Sequence, residues 1–222
     1  MQYFIKRLLA LILGLFLYAL GIVLCVRANI GCAPWDVLHM GLSRFTGWSM
    51  GQMSISVGAL ICVLVLLLHE KLGLGTILNM LLIGEFMDLI FAAGVIPLLT
   101  NMWLGIIMMI AGLFIIALGT YFYIGAGFGA GPRDSLMVAV QRRLKIPVGA
   151  CRAIVEGAAL LIGFFLGGQV GAGTVIAVFG IGFCVQIVFK LLKFDPAAVE
   201  HETLNGTWKR LASKCYDNKG TP

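Results

Sequence analysis

Ionisable side chains set inside long apolar runs are where this sequence has chemistry to offer. Glu85 and Asp88 stand three apart in an otherwise hydrophobic stretch, so on a helix they share one face. Arg152 and Glu156 stand four apart in another such stretch, with the same consequence. Two more aspartates follow prolines in the related segments Gly31-Cys32-Ala33-Pro34-Trp35-Asp36 and Gly129-Ala130-Gly131-Pro132-Arg133-Asp134. A lone charge in hydrocarbon costs roughly 3 kcal/mol on insertion scales, so these groups are expected to face protein or water. Desolvation raises the proton affinity of such a carboxylate and a neighbouring guanidinium lowers it, and either setting suits proton coupling. Two arrangements stay open: Arg152 and Glu156 satisfy one another within a helix, or Glu85 or Asp88 meets Arg152 across a bundle.

Catalysis and metal binding find little footing. His39, His69 and His201 are scattered, and the chain has no HExxH helix, nucleophile elbow or phosphate-cradling glycine loop. Cys25, Cys32, Cys62, Cys151, Cys184 and Cys215 lie apart, with no CxxC pair and no histidine at ligand spacing. We therefore expect no enzyme, no metal and no cofactor.

The elements that hold these residues follow from composition. Of 222 residues, 60% are hydrophobic and 12% charged, and the mean hydropathy is +1.02. A bilayer is the solvent such a chain fits. A spanning helix takes roughly 20 apolar residues, and six stretches qualify: 8–26, 48–69, 74–97, 103–124, 147–167 and 172–192. Each is expected to be helical, because lipid leaves no partner for an unsatisfied backbone group and the alternating strands of a barrel are missing. The first stretch lacks a small-residue cleavage site and is expected to remain as an anchor.

The net charge of +6 is explained by where the basic residues fall. With a cytoplasmic N-terminus, Lys6, Arg7, Lys71, Arg133, Arg142, Arg143, Lys145, Lys190, Lys193, Lys209, Arg210, Lys214 and Lys219 all lie inside, while only Arg27 and Arg44 face outward. Both termini are then cytoplasmic, and no nucleic-acid partner is needed to account for the charge.

Sliding the chain on itself by 98 residues superposes Gly14 on Gly112, Gly21 on Gly119, Gly31 on Gly129, Pro34 on Pro132, Asp36 on Asp134 and Arg44 on Arg142. The register continues without a gap, so that Gly73, Gly75 and Thr76 fall on Gly171, Gly173 and Thr174. Matched Gly, Pro, Asp and Arg in one register indicate a duplicated unit. With three spans per unit, the second copy enters the membrane from the opposite side. Inverted repeats of this kind build many secondary transporters, whose sites sit near the midplane between the halves. A duplication retained only for folding is the alternative.

In each unit the G-x-x-P-x-D segment is expected to open a short helix: glycine permits a positive φ, proline presets the first helical position, and the aspartate can accept free N–H groups. The stretches 35–45 and 133–144 are too short to span and too apolar for free loops, which fits a re-entrant or interfacial half-helix. If both crossed instead, eight spans in two parallel units would result. Asp36 and Asp134 either cap these helices or carry a proton or cation. Arg133, which falls on Trp35 in the repeat, pairs with Asp134, receives an anionic group or marks topology. Gln52 and Gln186 are expected to hydrogen-bond between helices, and the two G-x-G-T segments to mark close helix approach.

The paired segments G-x-x-P-W-D-V-L and G-A-G-P-R-D-S-L, each followed by G-x-G-T, resemble the YczE/YyaS/YitT-like family of bacterial multipass membrane proteins over roughly residues 5–193. The resemblance implies a bacterial plasma-membrane location and a permease-like role without naming a substrate. The soluble C-terminal domain of some relatives has no counterpart in these residues. The expected architecture is an all-α membrane protein of two inverted three-helix repeats, 1–98 and 99–193, and a polar cytoplasmic tail, 194–222. The expected function is transport of a small solute or ion through a cavity lined by Asp36, Glu85, Asp88, Arg133, Asp134, Arg152 and Glu156. The alternative is a non-transporting scaffold or accessory factor for a cytoplasmic pathway. Membrane lipids are the expected partner in either case, and homo-oligomerisation stays open.

Overall fold

The computed structural model describes residues 2–70, 72–196 and 199. Most of the polar tail, with His201, Cys215 and the tail's basic residues, and also Lys71, lies outside the described residues. The described chain forms eight helices: α1 Gln2–Arg27, α2 Pro34–Thr46, α3 Met50–Leu67, α4 Leu74–Ala93, α5 Met102–Gly125, α6 Pro132–Leu144, α7 Val148–Phe165 and α8 Ala172–Leu191. From α2 onward every bound in the first half recurs 98 residues later, as Pro34 and Pro132 or Leu74 and Ala172 illustrate.

Local chemistry sets these bounds. Gly31 and Gly129 take φ values of +114° and +117°, a region costly for any side chain, and the chain turns there so that proline can start α2 and α6. Ser49 and Gln52 form a reciprocal capping box at the start of α3, with Ser49 Oγ accepting from the Gln52 N–H at 3.0 Å. Gln52 is thus spent within its own helix rather than between helices. At α5 the Asn101 side chain accepts from the N–H groups of Trp103 and Leu104.

Among the described residues, five helices are long and apolar enough to cross a membrane: α1 from Phe4, α3, α4, α5 and α8. α7 has 18 residues, as α3 does, and carries Arg152 and Glu156. α2 and α6 have 13 residues each, about 20 Å of helix, which falls short of the roughly 30 Å of a hydrocarbon core. The outer surface is studded with exposed Leu66, Leu67, Leu89, Trp103, Ile107, Phe165 and Phe179, side chains that water would leave uncovered and lipid does not.

The two halves meet along α1 and α5. A Cβ at Gly14 would stand 2.9 Å from the Gly119 carbonyl oxygen, and a Cβ at Gly112 would stand 2.9 Å from that of Gly21. The early glycine of each helix therefore meets the late glycine of the other, so the two helices run antiparallel. Small residues allow the backbones this approach, which lets dispersion act where lipid supplies no hydrophobic drive. Leu11, Leu15, Ala19, Met109, Leu113 and Ile116 fill the seam around them.

A second reciprocity ties the turns. The Gly173 N–H donates to the Ile30 carbonyl at 2.7 Å, and the Gly75 N–H donates to the Phe128 carbonyl at 2.8 Å. Gly31 packs against Gly171 and Thr174, while Gly129 packs against Gly73 and Thr76. The G-x-G-T start of each half's last helix therefore holds the turn before the short helix of the other half.

Elsewhere the halves differ. α3 lies against α4 through Gly51 and Gly84, where a methyl group on either would strike the backbone of the other. The Asp88 carboxylate closes that end, accepting from Ser49 Oγ and, at 2.9 Å, from the Gly51 N–H. The equivalent glycines of α7 and α8, Gly149 and Gly182, have nothing within 4 Å of a Cβ. α7 packs on α2 and α6, and α8 on α5.

Candidate functional site

The separation of α7 from α8 leaves a cavity of about 490 Å³ in the middle of the bundle, to which each of the eight helices contributes. Tyr18 comes from α1, His39 from α2, Ser54 from α3, Asn79 from α4 and Tyr123 from α5, facing Arg133 and Asp134 of α6, Arg152 of α7 and Gln186 of α8. A smaller recess of about 80 Å³ shares Tyr18, Arg133 and Arg152 with it and adds Trp35, Asp36 and Glu156. Exposed Asp134, Arg152, Gly182 and Gln186 mark the side on which the large cavity is open.

The first turns of both short helices reach this space. The recess walls come from Ile22 of α1, Leu113 and Ile116 of α5, and Ala177 and Ile181 of α8, of which Leu113, Ile116 and Ile181 stand in the middle of their helices. The far end of α2 is tied elsewhere: Arg44 donates to the Gly167 carbonyl beyond α7. α2 thus starts deep in the bundle and runs outward.

Polar groups in the cavity are partly committed to each other. Tyr123 O–H donates to the Asp134 carboxylate at 3.0 Å and its oxygen accepts from the Gly131 N–H at 3.3 Å. Arg133 lies over the Trp35 ring, 5.1 Å from the centroid, rather than on Asp134. Arg152 donates to Glu156 at 2.8 Å within α7, the self-satisfied arrangement of the two left open by sequence. Asp36 is 3% exposed and His39 1%. No carboxylate caps its own short helix, since neither α2 nor α6 has a side-chain cap. The physical reason is direction: at the third helical position each carboxylate lies along the cavity wall rather than over the helix end.

The expected site residues divide accordingly. Arg133, Asp134 and Arg152 line the cavity, and Asp36 and Glu156 line the recess. Asp88 lies outside both linings, closing α3 on α4, and Glu85 is exposed away from them. Neither meets Arg152. Gly73, Gly75, Thr76, Gly171, Gly173 and Thr174 serve the turn contacts between halves. Sequence reading passed over His39, although its spacing of three from Asp36 places both on one helical face. It also passed over Tyr18 and Tyr123, for which no motif or spacing offered a signal.

Among the described residues, no three His, Cys, Asp or Glu side chains group as a metal would require. Cys25, Cys32, Cys62, Cys151 and Cys184 are free and buried.

The sequence profile of a family described as "Family of unknown function (DUF6198)" matches residues 5–190. The chain is 31% identical to an uncharacterized protein of Haemophilus influenzae over 191 residues, covering 86% of this chain and 87% of the other. It is 36% identical to the uncharacterized membrane protein YczE of Bacillus subtilis over 165 residues, 73% of this chain and 76% of that one. With the uncharacterized protein YyaS of the same bacterium the identity is 30% over 169 residues, 75% and 84% of the two chains. No solved structure matches.

Proposed function

The chain belongs to the DUF6198 family, with YczE and YyaS among its relatives, and from that premise we propose that this membrane protein is a transporter for a small solute. The observation that carries the reading is the central cavity of about 490 Å³, polar in part, to which all eight described helices contribute. Its size suits a small organic solute.

In this reading α7 is the sixth span and the two halves are inverted across the membrane, with α2 and α6 re-entrant from opposite sides. The antiparallel contact of Gly14 with Gly119 and of Gly21 with Gly112 supports that inversion. In this reading both termini lie in the cytoplasm of a bacterial cell, which the distribution of basic residues supports. The open gap between α7 and α8 then faces the cytoplasm, while Asp88, Ser49 and Gly51 close α3 on α4 at the outer side. The outward state is formed by exchange: α3 and α4 part, and α7 closes on α8 through Gly149 and Gly182 as α3 now does on α4. Inverted halves make the two states near mirror arrangements of one another, so the solute site stays in place while access alternates.

Spin labels at the exposed Ile154 of α7 and Ile187 of α8, which leave Gly149 and Gly182 free to approach, test this in the purified full chain with its cysteines replaced. Two distance populations are expected, and one member of a panel of amino acids, sugars, nucleosides and carboxylates should shift them while raising the unfolding temperature. A single fixed distance with no response to any panel member would end the transport reading.

A further inference from the structure

Asp36 and His39 lie one turn apart on α2, with His39 Nδ1 4.0 Å from Asp36 Oδ1. Both atoms are buried without a hydrogen-bond partner. Buried polar groups are nearly always paired, and a bare buried carboxylate is among the costliest exceptions. The pair also stands in the wall between the two cavities, Asp36 bordering the recess and His39 the larger space.

A single proton resolves both orphaned atoms. Placed on Asp36 Oδ1, it becomes a donor aimed at Nδ1; placed on Nδ1, it becomes a donor aimed at the carboxylate. A small approach of the two side chains then completes the bond. A metal ion fits less well, because the pair offers two ligands and Arg133 sets a positive charge close by. The equivalent pair in the second half is Asp134 and Met137, where Asp134 takes the Tyr123 hydroxyl instead. The feature is therefore confined to one half.

We propose that Asp36 and His39 form a proton-binding site, loaded from water in the cavity, and that this proton is the ion coupled to solute movement. The coupling role rests on the transport reading; the binding does not. The groups that face the pair are Tyr18 and Cys25 of α1, Cys32 of the turn, Arg133 and Asp134 of α6, and Arg152 and Glu156 of α7. α3, which also packs on α2, brings no charged residue.

Infrared difference spectra of the purified full chain, recorded between mildly acid and mildly basic buffer, read the site directly. A carboxylic C=O band that titrates is expected, absent in Asp36→Asn, displaced in Asp36→Glu and altered in its titration midpoint by His39→Gln. Glu70→Gln, which changes an exposed pair, should leave it intact. A titrating band that persists unchanged in Asp36→Asn overturns the proposal. Should Asp36→Asn fail to fold, an Asp36→Glu spectrum identical to wild type overturns it equally. Movement of the distance between labels at Ile154 and Ile187 with pH, lost in Asp36→Asn, is the expected sign of coupling. A wild-type distance that ignores pH while the band titrates removes the coupling and leaves the proton site standing.

Discussion

Arg133 lays its guanidinium over the Trp35 ring, 5.1 Å from the centroid, and the two residues occupy one and the same position in the two halves of the chain. A duplicated position has thus diverged into complementary chemistry, a cation in one copy and an aromatic face in the other. The contact joins the first turns of α2 and α6 at the centre of the bundle, where each short helix begins. It also keeps Arg133 off Asp134, leaving the guanidinium edge to face both the cavity and the recess.

A double-mutant cycle on Arg133→Ala and Trp35→Ala should return a coupling of about 0.5–2 kcal/mol in thermal or denaturant unfolding, the range of partly desolvated cation–π pairs. Additive single effects would mean that the two short helices do not meet through these side chains.

Gly21→Leu should be strongly destabilising, because a Cβ there would fall 2.6 Å from the Gly112 carbonyl oxygen, a backbone atom that cannot step aside. Overpacking of this kind typically costs about 1–3 kcal/mol or more. Gly182→Ala, at a position with nothing within 4 Å, should stay within about 0.5 kcal/mol of wild type. Yield of monodisperse protein and unfolding temperature in detergent check both.

Asp88→Ala strips the acceptor from Ser49 Oγ and the Gly51 N–H. Leaving partly buried donors unpaired costs about 1–3 kcal/mol. Because this is where α3 closes on α4, a cysteine in place of Ile55, which packs against Gly84, should also react faster with a soluble thiol reagent in the Asp88→Ala background than in wild type. An unchanged labelling rate would mean that Asp88 does not hold that seam.

Thr76→Val removes a hydroxyl that donates to the Ala130 carbonyl at 2.6 Å and accepts from the Gly73 N–H at 3.2 Å. The first bond crosses between halves and the second shapes the start of α4. Thr174 makes the local bond alone, to the Gly171 N–H at 3.2 Å. Thr76→Val is therefore expected to lower the unfolding temperature more than Thr174→Val, by about 1 kcal/mol of additional destabilisation. Equal effects would deny the cross-half bond any weight.

Glu70 and Arg142 pair at 2.8 Å, with the arginine side chain 69% exposed. Exposed pairs contribute about 0–1 kcal/mol and weaken with salt. Glu70→Gln should accordingly shift the unfolding temperature little, and less still at high ionic strength.

Sequence by itself determined the apolar helices, the 98-residue repeat and the turns at Gly31-Pro34 and Gly129-Pro132. These are local or periodic properties: a run of apolar residues must satisfy its backbone as helix, and proline after a positive-φ glycine starts one. The glycines at 14, 21, 112 and 119 stand out in the sequence as matched positions of the repeat, but that they form the seam between α1 and α5 is a finding of the structure. Only the tertiary structure decided which face of each helix looks inward. A helix apolar all round carries no stripe of polarity to mark its buried side, so Glu85 and Asp88 could not be separated from Arg133 and Arg152 by spacing alone. The meeting of Trp35 with Arg133, the burial of Asp36 beside His39 and the gap between α7 and α8 depend on how the two halves cross, a property of the pair that neither half encodes alone.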